Sequence, residues 1–261
     1  MRAVLTQLEA QTLQARQVLI VDNGGTLKDS DLAAMPLADR TMLISRPDNP
    51  GYGAAVNEAR DHLRGDSLLV LTHDAVFSDR LAERLLGALD GREGCAAPLL
   101  KFASDRSRVF SAGGSLTRGG RAFHLSEPRD DMPYHVEWVD GAIAMYTAEA
   151  LERIDWIAEE YFLYFEDVDT GWRLAQQDLD CLIVPDEVAY QQPGAHPMYL
   201  GVRNMVLFAR KAGIGALHNT CAVAYRAGRE GLGRLRRGKS MGVAEAFRGW
   251  RDGRRGLSGK P

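Results

Sequence analysis

Cysteine is scarce in this chain: 261 residues contain three, Cys95, Cys181 and Cys221, far apart and without metal-ligand spacing. That excludes a zinc ribbon or a disulfide-dense scaffold and suits buried thiols in a reducing compartment. No apolar run approaches the roughly 20 residues needed to span a bilayer, and no signal peptide opens the sequence. There is no internal repeat, and no low-complexity linker precedes the C-terminal segment. The glycine-rich stretch Asn49-Pro50-Gly51-Tyr52-Gly53-Ala54-Ala55-Val56-Asn57 is not followed by Gly-Lys-Ser/Thr, so it is no Walker loop. Its glycines also lack the Gly-x-Gly-x-x-Gly spacing of a dinucleotide fingerprint.

What is present is a globular composition, 45% hydrophobic and 26% charged, long enough for one large α/β domain or two small ones. The net charge of −3 hides an asymmetry: residues 226–261 hold eleven Lys/Arg against three acids, +8, leaving −11 for the rest. A basic tail on an acidic body suggests an anionic partner surface, membrane headgroups or nucleic acid; the alternative is a solvated terminus. No nucleic-acid recognition motif is found, so none is expected as partner. Seven glycines between 231 and 256 argue against one long helix there.

Fully apolar runs at 18–21, 42–44 and 68–71 read as strands, separated by helices at 54–63 and from a Ser78 or Asp79 cap to 89. Strands without alternation, divided by helices, indicate a parallel sheet covered on both faces. Further along, 96–102, 109–117 and 136–145 read as strands, 118–133 as a polar loop and 147–154 as a helix. Cys181 to Pro185 forms a last strand and 198–212 a last helix bearing Arg203-Asn204.

Chemistry-bearing residues fall at strand ends and helix starts. Asp22, with Asn23-Gly24-Gly25, could meet a nucleobase or ribose, or simply close a tight turn. Asp74 after Thr72-His73 could hold Mg²⁺ or Mn²⁺, or cap a helix. Most informative is Tyr161-Phe162-Leu163-Tyr164-Phe165-Glu166-Asp167-Val168-Asp169-Thr170-Gly171-Trp172-Arg173. Its aromatic run delivers three acids to a helix N-terminus, where carboxylates are favoured. Asp169 and Arg173 are one turn apart and can pair. Glu166 and Asp167 are left without a local partner, and a carboxylate so placed could take a proton from a substrate hydroxyl.

Taken in order, Val-Asp-Asn-Gly, Asn-x-Gly-Tyr-Gly-Ala-Ala-x-Asn, an Asp-ended strand and the Tyr-Phe-Glu-Asp-x-Asp segment resemble family 2 glycosyltransferases, particularly the bacterial rhamnosyltransferase-like branch. The likeness runs from about Leu5 to Arg210, and Phe247-Arg248-Gly249-Trp250-Arg251-Asp252-Gly253 looks like the family's C-terminal pattern. It implies a GT-A (Rossmann-like) fold with a mostly parallel central sheet over 1–215 and a basic helical or flexible tail over 216–261. It also implies inverting transfer of a sugar from a nucleotide-diphosphate donor to a glycan or lipid-linked acceptor of the cell envelope. Carried over by position, Asp167 is the catalytic base with Glu166 as neighbour. Asp22, Asn23, Asn49, Gly51, Gly53, Asn57, Asp140 and Gly141 line the nucleotide sugar. Asp74, with His196 as substitute ligand, holds the divalent metal. The expected location is cytoplasmic, peripheral on the inner face of the plasma membrane.

Two departures accompany the likeness. The buried mid-sheet strand with which the family begins has no counterpart before the helix containing Met1, which would expose unpaired backbone; the expectation is a mis-assigned start. Gln191 also stands near where the family commonly has a metal-binding histidine. The rival expectation is a non-catalytic relative serving as a binding or scaffold protein. A nucleotidyltransferase is disfavoured because no basic phosphate loop opens the sheet.

Overall fold

The computed structural model describes residues 1–194 and 196–261. The chain forms α1 (Arg2–Glu9), β1 (Val18–Asp22), α2 (Asp29–Leu32), β2 (Thr41–Ser45), α3 (Tyr52–Asn57), β3 (Ser67–Leu71), α4 (Leu81–Ala88), β4 (Gly94–Phe102), β5 (Val109–Ser111), β6 (Gly114–Leu116) and β7 (Ala122–His124). There follow β8 (Tyr134–His135), β9 (Ile143–Thr147), α5 (Ala148–Arg153), α6 (Glu166–Gln176), β10 (Asp180–Gln191), α7 (Met198–Lys211), α8 (Ala216–Arg236) and α9 (Val243–Arg255). The main sheet has the order β3-β9-β4-β10-β8, with β5 beside the far end of β4. β3, β4 and β10 run in one direction, and β9 is inserted between β3 and β4 in reverse. β1 and β2 form a parallel pair, and β6-β7 a small hairpin.

Apolar strands of this kind need cover on both faces, and the packing supplies it. One face holds Leu5 and Leu8 of α1 with Leu81 and Leu85 of α4, over Ala96, Leu100 and Ile143. The other holds Leu151 of α5, Trp156 and Leu174 of α6, over Ala97, Ala144 and Ile183. Alternate residues of β4 thus serve opposite clusters, as the two-residue strand period requires. A third cluster, with Val168, Val202, Met205, Phe208, Val223 and Ala246, joins α6 to α9.

The unpaired backbone expected from the resemblance is present. Among the described residues β1 bonds only to β2, and β3 only to β9. The two strands lie in one layer: Leu19 joins Leu68 and Val70 against one cluster, while Ile20 joins Leu69 and Leu71 against the other. They run the same way. Arg16 donates to the Arg64 carbonyl (3.1 Å) ahead of both strands, and Asn23 reaches Gly51 beyond the end of β1. The sheet is therefore open between β1 and β3, and most of their apolar residues are only half-buried.

Several local expectations are corrected. The helix expected over 54–63 ends at Asn57. Residues 109–117 are split into β5 and β6 at Gly113, whose φ of +89° breaks the strand. The polar loop 118–133 contains β7, paired with β6. Between 136 and 142 the chain is irregular, and regular strand begins only at Ile143. Ser78 accepts from the Arg80 N–H (3.1 Å) at the entry to α4, as expected, and the buried Gln11 accepts from the Ala82 N–H (3.0 Å). β10 continues past Pro185 because a bulge between Val184 and Val188 restores its register with β4.

The basic C-terminal segment is helical. α9 lies close on α7, where Gly249 and Gly253 meet its backbone: a Cβ on Gly249 would stand 2.5 Å from the Tyr199 oxygen, and one on Gly253 2.7 Å from the Arg203 oxygen. Gly249→Val should therefore destabilise the fold by about 1–3 kcal/mol through overpacking. Gly228→Ala in α8, where nothing lies within 4 Å of the new methyl, should be neutral or stabilising by roughly 0.5–1 kcal/mol. Urea denaturation of the two variants beside the parent chain checks both signs.

Candidate active site

The site is built on a backbone that side chains at 161–165 do not favour. Phe162, Tyr164 and Phe165 hold φ values of +65°, +70° and +79°, each costing of order 1 kcal/mol or more for a residue with a Cβ. Two buried side chains of α7 hold them there. The Asn204 amide donates to the carbonyls of Tyr161 (3.0 Å), Leu163 (2.8 Å) and Tyr164 (2.8 Å). Arg203 donates to Tyr161 (2.9 Å) and orients Asn204 through its Oδ1 (3.0 Å). From the other side, the Tyr52 N–H donates to the Phe162 carbonyl (2.8 Å). Gly51, at φ +107°, packs against Phe162 so closely that no Cβ fits. This left-handed entry turns the chain into α6, whose first turn carries Glu166, Asp167 and Asp169.

Asp169 is structural, as the four-residue spacing implied. It is fully buried, accepts from Arg173 Nε (2.6 Å) and the Tyr161 hydroxyl (3.0 Å), and pairs with Lys211 (2.9 Å). Glu166 and Asp167 have no Lys or Arg partner among the described residues. Glu166 is buried with Oε2 unpartnered, and burial pushes its carboxyl up to about 7, Asp140 adding to the effect. Asp167 is the more accessible; it accepts from the Val168 N–H (2.8 Å) and from the Gly141 N–H. Its carboxyl is also held well above the usual range, first by burial and then by the charges of Glu166 and Asp140.

Asp140 completes the acidic group. Its Oδ1 accepts from the Ala142 N–H (2.9 Å), and Oδ2 faces His124 Nε2 at 3.8 Å. Burial raises Asp140 and lowers His124, so the imidazole faces the carboxylate as a weak base rather than a fixed cation. Below them Tyr52 donates its hydroxyl to the Gly141 carbonyl. Sequence reasoning named neither Tyr52 nor His124 as a site residue. Tyr52 stands inside the glycine-rich motif; His124 lies in a polar, glycine-rich stretch that carries no site signal.

The expected nucleotide-binding residues divide. Asn23 donates to the Gly51 carbonyl (3.2 Å) while its Oδ1 is buried without a partner, as is Thr72 Oγ1 at the end of β3. Gly141 touches both Tyr52 and Asp167, and Asn49 (φ +46°) shapes the approach to Gly51. A continuous set of contacts thus runs from Asn23 through Gly51, Tyr52 and Gly141 to Asp167. Three of these residues are already engaged within the fold. Asp22 closes its own turn, accepting from Gly24 (2.9 Å), Thr26 (2.6 Å) and Leu27 (2.8 Å), and these bonds lower its carboxyl, Leu27 foremost. Asn57 has its amide engaged by Ile157 and Glu159, so it fastens α3 to the segment before the site. Gly53 is likewise a packing position: a Cβ there would stand 2.5 Å from the Ala158 oxygen.

The metal pair fares unevenly. Asp74 is exposed two residues beyond Thr72, at the end of β3, with no ion pair among the described residues. His196 stacks on Tyr164 at 3.8 Å between ring centroids and is lowered by that packing and by Arg226 and His124. Among the described residues no three His, Cys, Asp or Glu side chains form a ready metal cluster. His196 is therefore an aromatic neighbour of the site and not a demonstrated partner of Asp74. The aromatic run divides too: Tyr161 and Phe165 are core, whereas Phe162 and Tyr164 are half-buried around the acids.

Comparison with known proteins agrees with this architecture. The chain is 27% identical over 210 residues to the N-acetylglucosaminyl-diphospho-decaprenol L-rhamnosyltransferase of Mycobacterium tuberculosis, covering 69% of this chain and 68% of that protein. Among solved structures it resembles GalNAc-T7 with UDP, GalNAc and Mn²⁺ (TM-score 0.61, 12% identity, 75% of this chain). It also resembles the mannosyltransferase PcManGT of Pyrobaculum calidifontis in complex with GDP-Man and Mn²⁺ (TM-score 0.53, 16% identity, 80% of this chain). The chain spans 41% and 60% of those two structures, and at such identity they speak for the GT-A fold alone. The model of glycosyl transferase family 2 matches residues 1–153. The chain is a glycosyltransferase and belongs to glycosyl transferase family 2.

Proposed function

We propose that the protein moves a sugar, with inversion, from a nucleotide-diphosphate donor to a hydroxyl of a cell-envelope glycolipid, with Asp167 as base. The observation that carries this reading is the acidic group at the start of α6. Asp167 is its accessible member, and Glu166 and Asp140 raise its affinity for a proton. Attack from the face opposite the leaving group needs a base roughly 2.6–3.2 Å from the acceptor hydroxyl, and in this reading Asp167, half-buried in the first turn of α6, supplies it. The mycobacterial relative is named for a diphospho-decaprenol acceptor, which makes a polyprenyl-diphosphate-linked sugar the acceptor class proposed here.

The donor side is proposed along Asn23, Asn49 and Gly51, where the unpartnered Asn23 Oδ1 can accept from a ribose hydroxyl or a base amino group. A divalent cation, when bound, would neutralise charge on the departing diphosphate. The exposed carboxylate of Asp74 fits such an ion shared with the diphosphate, since Mg²⁺ is commonly held by one or two carboxylates plus substrate phosphates. Charge that develops on the acceptor oxygen is relieved by Asp167, and Glu166, out of solvent, keeps the local potential negative.

Asp167→Asn should lower kcat by about 10²- to 10⁴-fold while calorimetric affinity for the nucleotide-sugar donor stays unchanged; full activity in this variant would refute the assignment. The pH profile tests the environment. A base works only when deprotonated, so with the Asp167 carboxyl held well above its usual range, by burial first and then by Glu166 and Asp140, the rate should still climb with pH above the ordinary carboxylate range. Asp140→Asn removes a charge that raises both neighbours and should move this acid limb to lower pH. A limb that stays in place shows that another group controls the rate.

A further inference from the structure

A helix on a protein surface normally turns its apolar stripe inward and its charges to water. α8 departs from this by carrying apolar side chains on both faces. Its inward face carries Asn219 and Val223 together with Arg226, which donates to the Gly201 carbonyl (3.1 Å) and pairs with Glu230 (2.8 Å). Arg234 is likewise tied to Ser240 and Glu245. The outward face carries Leu217, Tyr225, Leu232 and Leu235, exposed by 76%, 60%, 55% and 48%. Ala224, Gly228 and Gly233 leave a shallow trough between Tyr225 and Leu232, bordered by Arg229 and Arg236. These two arginines, with Arg237 and Lys239 just beyond, are exposed and make no ion pair among the described residues.

We propose that this outward face of α8 rests on an anionic phospholipid bilayer, its leucines and Tyr225 entering the headgroup boundary and its arginines meeting lipid phosphates. Charge complementarity selects this occupant. A cation-rimmed apolar stripe is attracted to an anionic surface, whereas a second copy would bring the same positive rim against itself. The helix lies on the bilayer and does not cross it, since no helix among the described residues is long and apolar enough to do so.

The orientation has a use that rests on the function proposed above. The β6–β7 hairpin touches both α8 and the acidic site. Gly119 packs on Ala222 and His218, and the Arg121 guanidinium lies over the Tyr225 ring at 5.3 Å. His124 of the same hairpin faces Asp140. Seated on α8, the enzyme would hold its site beside the surface from which a lipid-linked acceptor projects.

Co-sedimentation of the full chain with vesicles of phosphatidylcholine alone, or with about a third phosphatidylglycerol, tests the proposal. Binding is expected only to the anionic vesicles and should weaken with added salt. Arg229→Gln with Arg236→Gln should weaken it roughly 30-fold, each arginine being worth about fivefold; Leu232→Ser with Leu235→Ser should weaken it further. Thermal melts confirm that these exposed substitutions leave the fold intact, and donor affinity should not change. Equal binding to neutral vesicles, or undiminished binding by both variants, overturns the proposal. So does sedimentation showing that the leucine substitutions abolish self-association without affecting vesicles. Because the vesicle measurement uses no donor or acceptor, it separates failure of this inference from failure of the proposed transfer reaction.

Discussion

The amide of Asn204 is the point on which the site hangs. Three of four consecutive residues, Phe162, Tyr164 and Phe165, do not stay in left-handed backbone without compensation, and here it comes from carbonyl acceptors gathered on one buried side chain. Arg203 fixes that amide and also reaches the Gly259 carbonyl (2.8 Å), so the C-terminal end of the chain takes part in holding the loop before α6. The contact of α9 with α7 through Gly249 and Gly253 has the same consequence. What reads in sequence as an appended basic segment is a buttress for α7, and α7 in turn holds the residues before Glu166.

Electrostatics follow from that geometry. Three carboxylates brought together under cover, with only a neutral-leaning imidazole opposite, cannot all ionise at their ordinary values. The fold tolerates this because the compensating cations are placed elsewhere: Arg173 and Lys211 serve Asp169, one turn further along α6. Asp169 anchors the helix while Glu166 and Asp167 remain poised. Adjacent acids of the same motif thus have opposite duties, set by which of them has a cation within reach.

Much of this was legible in sequence and some was not, for identifiable reasons. The apolar runs at β1, β3 and the start of β10, and the one-turn pairing of Asp169 with Arg173, follow from local periodicity, which is strong where burial is continuous. The insertion of β9 in reverse between β3 and β4 is non-local, and nothing in residues 143–147 encodes direction. Asp22 and Asn57 carry the residue types expected at a nucleotide site, but both are engaged by backbone, one by its own turn and the other by residues a hundred positions away. Donor and acceptor capacity can be read from a sequence; whether it is already satisfied cannot. The C-terminal segment reads in sequence only as basic and interrupted by glycines; the packing of α8 is what shows which of its apolar residues face outward.

The open edge between β1 and β3 has a mechanical consequence. A continuous hydrogen-bonded ladder transmits stiffness across a sheet, and here the ladder is interrupted, so β1, β2 and the Asn49–Gly51 loop join the main body through apolar packing, the Tyr52 N–H bond to Phe162 and a few side-chain bonds: Arg16 at one end, Asn23 and the Tyr52 hydroxyl at the other. What holds Asn23 at its distance from Asp167 is therefore the fit of Gly51 and Tyr52 against Phe162 and Gly141, and not a run of strand-to-strand bonds.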